Sequence, residues 1–303
     1  MPSQTQQGAI RHYLALTAFA AVIALLAATP RLAADWVSIG RAQTRNVSGL
    51  APVPGPGEPR FLVVHDNKLP NEERLALVTL GSSQRYTPVP WPAGYALPID
   101  LEAISAIPGS PRLYLTATSA GSISLLELTG DRVTLRAAAT LPSRPGLPNF
   151  EGLSVQRIGT ALVVAWGHRG AGPEAGRLYW GVLDLETLAV REVAIADVRV
   201  PFPSARNPNT RHISDLRVAR DGRVLITSAS DPGDDGPYAS AMYDVGTLAA
   251  AGGRVVLRRT STLMPLHRVN RKLEALELTA NDTQIVFGTD DEHGGGALLQ
   301  VPR

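Results

Sequence analysis

Lys272-Leu273-Glu274-Ala275-Leu276 is the fifth appearance of one short pattern, a polar or acidic residue followed by a small residue and an aliphatic. The earlier copies are Ser48-Gly49-Leu50, Glu102-Ala103-Ile104, Glu151-Gly152-Leu153 and Ser214-Asp215-Leu216. A period of roughly 50 to 60 residues marks stacked copies of one supersecondary unit. Each copy opens an apolar strand that runs into a turn and a second strand. The turns hold Pro54-Gly55-Pro56-Gly57, Pro108-Gly109-Ser110-Pro111, Ile158-Gly159-Thr160, Asp221-Gly222 and Asn281-Asp282. Gly, Asn and Asp tolerate the positive φ of tight hairpins, so these read as hairpin turns. Two further strands follow in most copies, as in Ser122 to Leu128 with Val133 to Ala137.

Four short antiparallel strands per repeat predict an all-β fold, a single β-propeller of five blades over residues 35–303. The last repeat, from about Val269, holds only three strand signals, and Trp36 to Arg41 has no partner of its own. That N-terminal strand is therefore expected to complete the C-terminal blade, closing the ring and removing exposed edges. A sixth blade within Tyr86 to Pro98 or Ala196 to Asn209 is the alternative.

Residues 1–34 read as a leader. Arg11 precedes an apolar run from Tyr13 to Ala28, and Leu32-Ala33-Ala34 closes the segment with small residues. A run of about sixteen residues is short for a membrane span and suits a signal-peptide core. A retained signal anchor is the alternative, since no strict A-x-A site is present. The expected location is periplasmic or secreted. The segment carries Arg11 and Arg31 and no acid, so without it 27 basic residues face 27 acidic ones. The basic balance of the whole chain is thus no sign of a nucleic-acid partner. The chain has no cysteine, which excludes disulfides, Cys-ligated metals and thiol nucleophiles. A domain of about 269 residues buries enough core without them, and a monomer is expected.

In an antiparallel blade the start of the first strand and the end of the second lie at the same end. The second strands end on His65-Asp66-Asn67-Lys68, Thr118-Ser119, His168-Arg169, Ser230-Asp231 and Asp290-Asp291-Glu292-His293. The first strands open on Asp100 and Glu102, Asn149 and Glu151, Arg211 and His212, and Asn270, Arg271, Lys272 and Glu274. The chain's two lysines, Lys68 and Lys272, and four of its six histidines fall in these positions. Convergence on one channel mouth nominates His65, Asp66, Lys68, His168, Arg169, Arg211, His212, Arg271 and Lys272 as ligand-binding residues.

Glu102, Glu151 and Glu274 share one blade position, so symmetry aims them at a common axis, where like charges raise each other's pKa. Three readings follow. Each glutamate accepts backbone amides of the next blade as a lock, or the set holds a cation, or it contacts substrate directly. The compensating charge comes from Arg169, Arg211, Arg271 and Lys272, or from a divalent cation, with calcium matched to carboxylate oxygens. Asp290 and Asp291 extend the candidate metal set, and His293 beside them suits acid/base work. Asp231-Pro232-Gly233-Asp234-Asp235-Gly236 has the look of a calcium loop, but Met242 stands where an EF-hand needs glutamate and no flanking helices are readable. No G-x-S-x-G, H-E-x-x-H, P-loop or convincing G-x-G-x-x-G is present.

The openings Asp100-Leu101-Glu102-Ala103-Ile104, Asn149-Phe150-Glu151-Gly152-Leu153, His212-Ile213-Ser214-Asp215-Leu216 and Lys272-Leu273-Glu274-Ala275-Leu276, with the ending Gly288-Thr289-Asp290-Asp291, resemble those of an uncharacterised bacterial β-propeller family known as a domain of unknown function. They are more distantly similar to the esterase-like phytase-type propellers. That resemblance implies calcium-assisted phosphomonoester hydrolysis, with Glu102, Glu151, Glu274, Asp290 and Asp291 on metal and Lys272, Arg211 and Lys68 on phosphate. Ser214 departs from the pattern, and the carboxylates are fewer than several calcium ions need. Two functions stay open. One is a propeller that captures a small anionic ligand, a metal or a protein partner at the mouth. The other is a metal-assisted hydrolase of an anionic ester. Capture is the default, because no residue set forces a catalytic geometry.

Overall fold

A computed structural model describes residues 35–81, 84–143, 148–204, 206–234, 236–279 and 281–303, so the expected leader, residues 1–34, lies outside the described residues. Among them, no helix is long and apolar enough to cross a membrane. The propeller has five blades. The first runs outward as β2 (Gly49–Val53), β3 (Arg60–Val64), β4 (Leu75–Thr79) and β5 (Arg85–Val89). The second is β6 (Leu101–Ile107), β7 (Ser110–Thr118), β8 (Ser122–Thr129) and β9 (Arg132–Thr140), and the third β10 (Phe150–Ile158), β11 (Ala161–His168), β12 (Gly176–Leu183) and β13 (Val190–Val198). The fourth is β14 (Thr210–Val218), β15 (Arg223–Ser230), β16 (Ala239–Ala251) and β17 (Arg254–Arg259), with β18 (Pro265–Val269) also paired to β16. The fifth is β19 (Leu273–Leu278), β20 (Gln284–Thr289), β21 (Gly296–Pro302) and, from the other end of the chain, β1 (Val37–Gly40).

The expected closure is present: β1 pairs antiparallel with β21, Val37 opposite Leu298. The stretches that left room for a sixth blade instead supply outer strands β5 and β13. Turn chemistry follows the sequence, with Gly222 at φ 84° and Asp282 at φ 56° in the hairpins of the last two blades. The 13-residue β16 carries β17 and β18 end to end on its outer edge.

Inner strands β2, β6, β10, β14 and β19 each touch the next around the ring, β19 closing on β2. Five apolar cores result, one in each space between blades. The space between the third and fourth blades packs Trp180, Ile213 and Tyr243, and that between the fifth and first packs Leu50, Phe61 and Val286. Crowding near the axis explains the small residue of the repeat: a Cβ on Gly152 would stand 2.6 Å from the backbone nitrogen of Leu216 in the next blade.

Arg217 of β14 fills the axis. Its Nε donates to the carbonyl of Leu276 at 2.8 Å, Nη1 to those of Leu153 (3.1 Å) and Ile104 (3.2 Å), and Nη2 to those of Leu50 (3.1 Å) and Ile104 (3.3 Å). These carbonyls belong to the equivalent residue of the other four inner strands. Glu277 Oε1 at 3.4 Å and Asp215 Oδ2 at 3.9 Å balance its charge. Arg217→Met should therefore lower unfolding free energy by about 3–5 kcal/mol, by removing the counter-charge of two buried acids together with the donors of four carbonyls. Urea unfolding checks this, and a midpoint near that of the parent chain would rule out Arg217 as the hub.

Candidate functional site: the channel mouth

A β-bulge sets each glutamate of the repeat. The ladders pass from Leu101–Thr118 to Ala103–Ala117, from Phe150–His168 to Gly152–Gly167, and from Leu273–Thr289 to Ala275–Gly288. Glu102, Glu151 and Glu274 are thus the extra residues, and a bulge re-aims its side chain. All three are at least nine-tenths buried.

The glutamates do not act as locks between blades. That task falls to side chains further along the inner strands: Ser105 Oγ accepts the Val155 N–H at 2.9 Å, Ser154 Oγ that of Val218 at 2.9 Å, and Asp215 Oδ2 that of Leu276 at 2.6 Å. The glutamates face other charges instead. Arg211 Nη1 lies 2.6 Å from Glu274 and 3.7 Å from Glu151, while its Nη2 donates to Asp231 at 2.5 Å. Lys272, 1% exposed, brings Nζ to 2.9 Å from Asp290, 3.3 Å from Glu274 and 3.9 Å from Asp231, and it also bonds Glu292. Arg169 Nη1 reaches Glu151 at 3.3 Å. Burial opposes the charges of Arg211 and Lys272, but the surrounding carboxylates hold both protonated.

Glu102 stands apart. It is 8% exposed, and among the described residues no cation or hydrogen-bond donor pairs with it. Asp66 and Asp100 join it instead, one carboxylate oxygen from each of the three lying within 4.8 Å of the others. Asp100 takes φ 63°, its Oδ2 accepts from Ser119 Oγ at 2.5 Å, and its Oδ1 meets the exposed Lys68 Nζ at 2.8 Å. Burial, then Glu151 and Asp66, raise the Glu102 carboxyl well above the usual range. Burial and Glu274 push Asp66 to about 6, and burial pushes Glu151 to about 7 against the pull of Arg211. Asp290 is raised well above its usual value by burial and by Glu274.

The other nominated residues divide. Asp291 is engaged by Arg271 Nη1 at 2.6 Å, the Lys272 N–H at 3.0 Å and the Thr289 hydroxyl at 2.8 Å, so it shapes the loop and lies outside the three-carboxylate group. Arg271 also stacks over the Trp36 ring at 5.0 Å. His65 is fully buried, with Nδ1 on the Asn46 carbonyl at 2.5 Å and Nε2 on the Tyr86 hydroxyl at 2.9 Å, and burial lowers its pKa to about 4. His212, equally buried, bonds the Gly172 carbonyl at 2.8 Å and the Val200 N–H at 3.3 Å. Neither imidazole faces the carboxylates; both tie loops, because a strand end can turn its side chain to either face. His168 accepts the Gly170 N–H at 3.2 Å and sets its ring edge-on to Phe150. Asp100 is absent from the sequence-predicted set, although its place two residues before Glu102 matches that of Lys272 before Glu274.

No family model matches the chain, and no curated protein matches it. Solved structures similar to it include a GH43 endo-arabinanase from Bacillus licheniformis, 12% identical over 88% of this chain and 96% of that one, with a TM-score of 0.49. Another is the Penicillium chrysogenum alpha-L-arabinanase complexed with arabinobiose, 12% identical over 88% and 97%, with a TM-score of 0.44. Similarity at this level carries no functional argument, and the five-bladed fold rests on the strand pairing itself.

The folded chain keeps protons on Glu102, Asp66 and Glu151 at pH values where the unfolded chain has released them, so raising the pH favours unfolding. The buried histidines act in the opposite sense below about pH 6.5, where the unfolded chain alone is protonated. From pH 6.5 to 8 the carboxyls govern, helped by Asp215, raised by burial to about 8, and Glu277, raised by burial to about 7. In chelator the melting temperature should fall across that interval. Glu102→Gln should raise it at pH 8 by about 3 °C or more, since each kcal/mol moves a domain of this size by about 2–4 °C. A destabilised Glu102→Gln protein would mean that Glu102 is structurally satisfied.

Proposed function

We propose that the channel mouth is a cation-dependent binding site, with Asp66, Asp100 and Glu102 holding one divalent cation that receives a small anionic ligand. The observation that carries this reading is Glu102, a carboxylate buried among like charges that has no ion-pair partner among the described residues. Leaving such a group ionised is costly unless a cation joins it. Three carboxylates within 4.8 Å supply hard oxygen donors and match calcium, with water filling the remaining positions. The bases nominated for an anion already have acidic partners: Arg211 and Lys272 in the buried network, Arg169 on Glu151, Lys68 on Asp100 and Arg271 on Asp291. An anion is therefore better received by the cation than by these side chains. The periplasmic or secreted location expected from residues 1–34 suits a weak calcium site, since extracellular modules work at about 10⁻⁴–10⁻³ M.

A second reading, hydrolysis of a phosphomonoester or related ester, is favoured by Glu151. It lies at the mouth with Arg169 at 3.3 Å and Arg211 at 3.7 Å, and burial raises its carboxyl against the pull of both. The cation would polarise the ester while Glu151 serves as acid or base.

Calcium at one hundred times its Kd should stabilise the chelator-treated protein by about 2.7 kcal/mol. The effect should strengthen as pH rises, because binding displaces protons. Asp66→Asn with Glu102→Gln should abolish it. Lys68→Ala should tighten calcium up to about fivefold, because an exposed competing cation is worth at most about 1 kcal/mol. Thermal melts and calorimetric titration read all of these, and a melt insensitive to chelator and to calcium up to about 0.1 M, one hundred times the weakest Kd expected, removes the proposal.

A further inference from the structure

At the other end of the channel, behind Arg217, the inner strands of all five blades enclose a cavity of about 220 Å³. Pro52 of the first blade, Ile107 of the second, Gln156 of the third, Val218 of the fourth and Leu278 of the fifth line it, and its two buried charged residues are Arg217 and Glu277. A cavity of about 150 Å³ takes benzene, so this one has room for roughly six to nine non-hydrogen atoms.

The polar side chains of the lining mostly have partners already. Ser105 and Ser154 are the locks described above, and Arg217 directs its N–H groups at the carbonyls of the axis. The Gln156 carboxamide bonds the Val218 carbonyl at 3.4 Å and the Arg157 N–H at 2.9 Å, and the Thr279 hydroxyl bonds Asn281 at 3.0 Å. Glu277 differs. Its Oε1 faces Arg217 Nε at 3.4 Å and accepts the Leu278 N–H at 2.7 Å, whereas among the described residues its Oε2 has no hydrogen-bond partner and stays open to the cavity.

Acid exceeds base around this oxygen. One guanidinium serves both Asp215 and Glu277, and Asp282 at the rim adds its field, although Arg303 holds it at 3.6 Å. The charges that act between these groups are those of Arg217, Asp215, Glu277 and Asp282; the exposed Arg220 at the rim is not one of them. The complement of a buried carboxylate with one free oxygen is a cation that donates a hydrogen bond, since charged donor and charged acceptor make the stronger class of bond. A divalent metal takes several oxygen ligands. Among the described residues Glu277 belongs to no group of three that could supply them, which leaves an organic monocation.

We infer that the rear of the channel is a second binding site, taking a small alkylammonium ion whose N–H donates to Glu277 Oε2 and whose carbon body lies against Pro52, Ile107 and Leu278. It is independent of the cation site proposed for the mouth, because Arg217 fills the axis between the two and Glu277 has no part in the mouth.

Calorimetric titration of the full chain with n-butylammonium, in calcium and in chelator at constant ionic strength, tests this, with butanol, butyrate and tetramethylammonium for comparison. Butylammonium should bind about tenfold or more tighter than butanol, the factor carried by a hydrogen bond to a charged group, in calcium and chelator alike. Butyrate, and tetramethylammonium with no N–H, should bind no tighter than butanol. Glu277→Gln should erase the preference for the cation. Because Glu277 also offsets Arg217, Asp282→Asn serves as a second variant that leaves the axis intact, and it should weaken butylammonium by about two- to fivefold. Asp66→Asn with Glu102→Gln should leave butylammonium binding as it was. Affinity lost in that pair, or untouched by both Glu277→Gln and Asp282→Asn, places the cation elsewhere and overturns the assignment. Butylammonium binding no tighter than butanol overturns it as well, the cavity then holding water only. If calcium fails to stabilise the protein while butylammonium still binds through Glu277, the mouth reading fails and this one stands.

Discussion

One guanidinium holds the ring to its axis. Arg217 comes from the fourth blade and donates to a carbonyl from each of the other four, so every inner strand has a bond to the same planar group. Arginine suits this place because its five donors are fixed in a plane and its charge persists when buried. Asp215 and Glu277 supply the compensating acid, and Asp215 also accepts a backbone N–H of the fifth blade. Five apolar cores hold neighbouring blades together, but each is local to its pair. Only the axis involves all five blades, and so it constrains how the strand ends converge above it.

That constraint gives the mouth its chemistry. With the floor of the channel fixed by a satisfied arginine, the bulged glutamates are brought into one another's field, where burial and mutual repulsion raise Glu102 and Glu151. Part of the resulting charge is neutralised within the chain. Arg211 and Lys272 bridge Glu151, Glu274, Asp231 and Asp290 in a network that a lone calcium ion would otherwise have to hold. The remainder gathers on the side of the first and second blades, at Asp66, Asp100 and Glu102. The acid excess is therefore localised on one side of the mouth.

The repeat, the hairpin turns and the closing strand were legible because each rests on local chemistry: a five-residue pattern, a residue able to take positive φ, and a fourth strand missing at one end. The bulges were not legible, since inserting one residue into a ladder leaves no mark on alternation as short as Glu102-Ala103-Ile104. The locks were missed for a related reason. Ser105 and Ser154 look like ordinary small polar residues until the next blade brings an amide to them. β18 leaves no mark in the sequence, because Pro265-Leu266-His267-Arg268-Val269 shows no turn or alternation that ties it to β16. At the mouth, residue type predicted charge well but not direction. Asp66 and His65 are neighbours in sequence, yet one joins the carboxylates and the other lies buried against Asn46 and Tyr86.

A symmetric fold becomes a specific one where its equivalent positions stop being equivalent. Two residues before the bulged glutamate, the fifth blade carries Lys272, the third Asn149 and the second Asp100. Lysine neutralises Glu274 directly. Asn149, in the amide orientation that satisfies its neighbours, accepts from Arg169 Nε at 2.8 Å, and Arg169 also reaches Glu151. Aspartate adds a second negative charge beside Glu102. The same geometry therefore yields an ion-paired glutamate in two blades and, in the other, one with no ion-pair partner among the described residues.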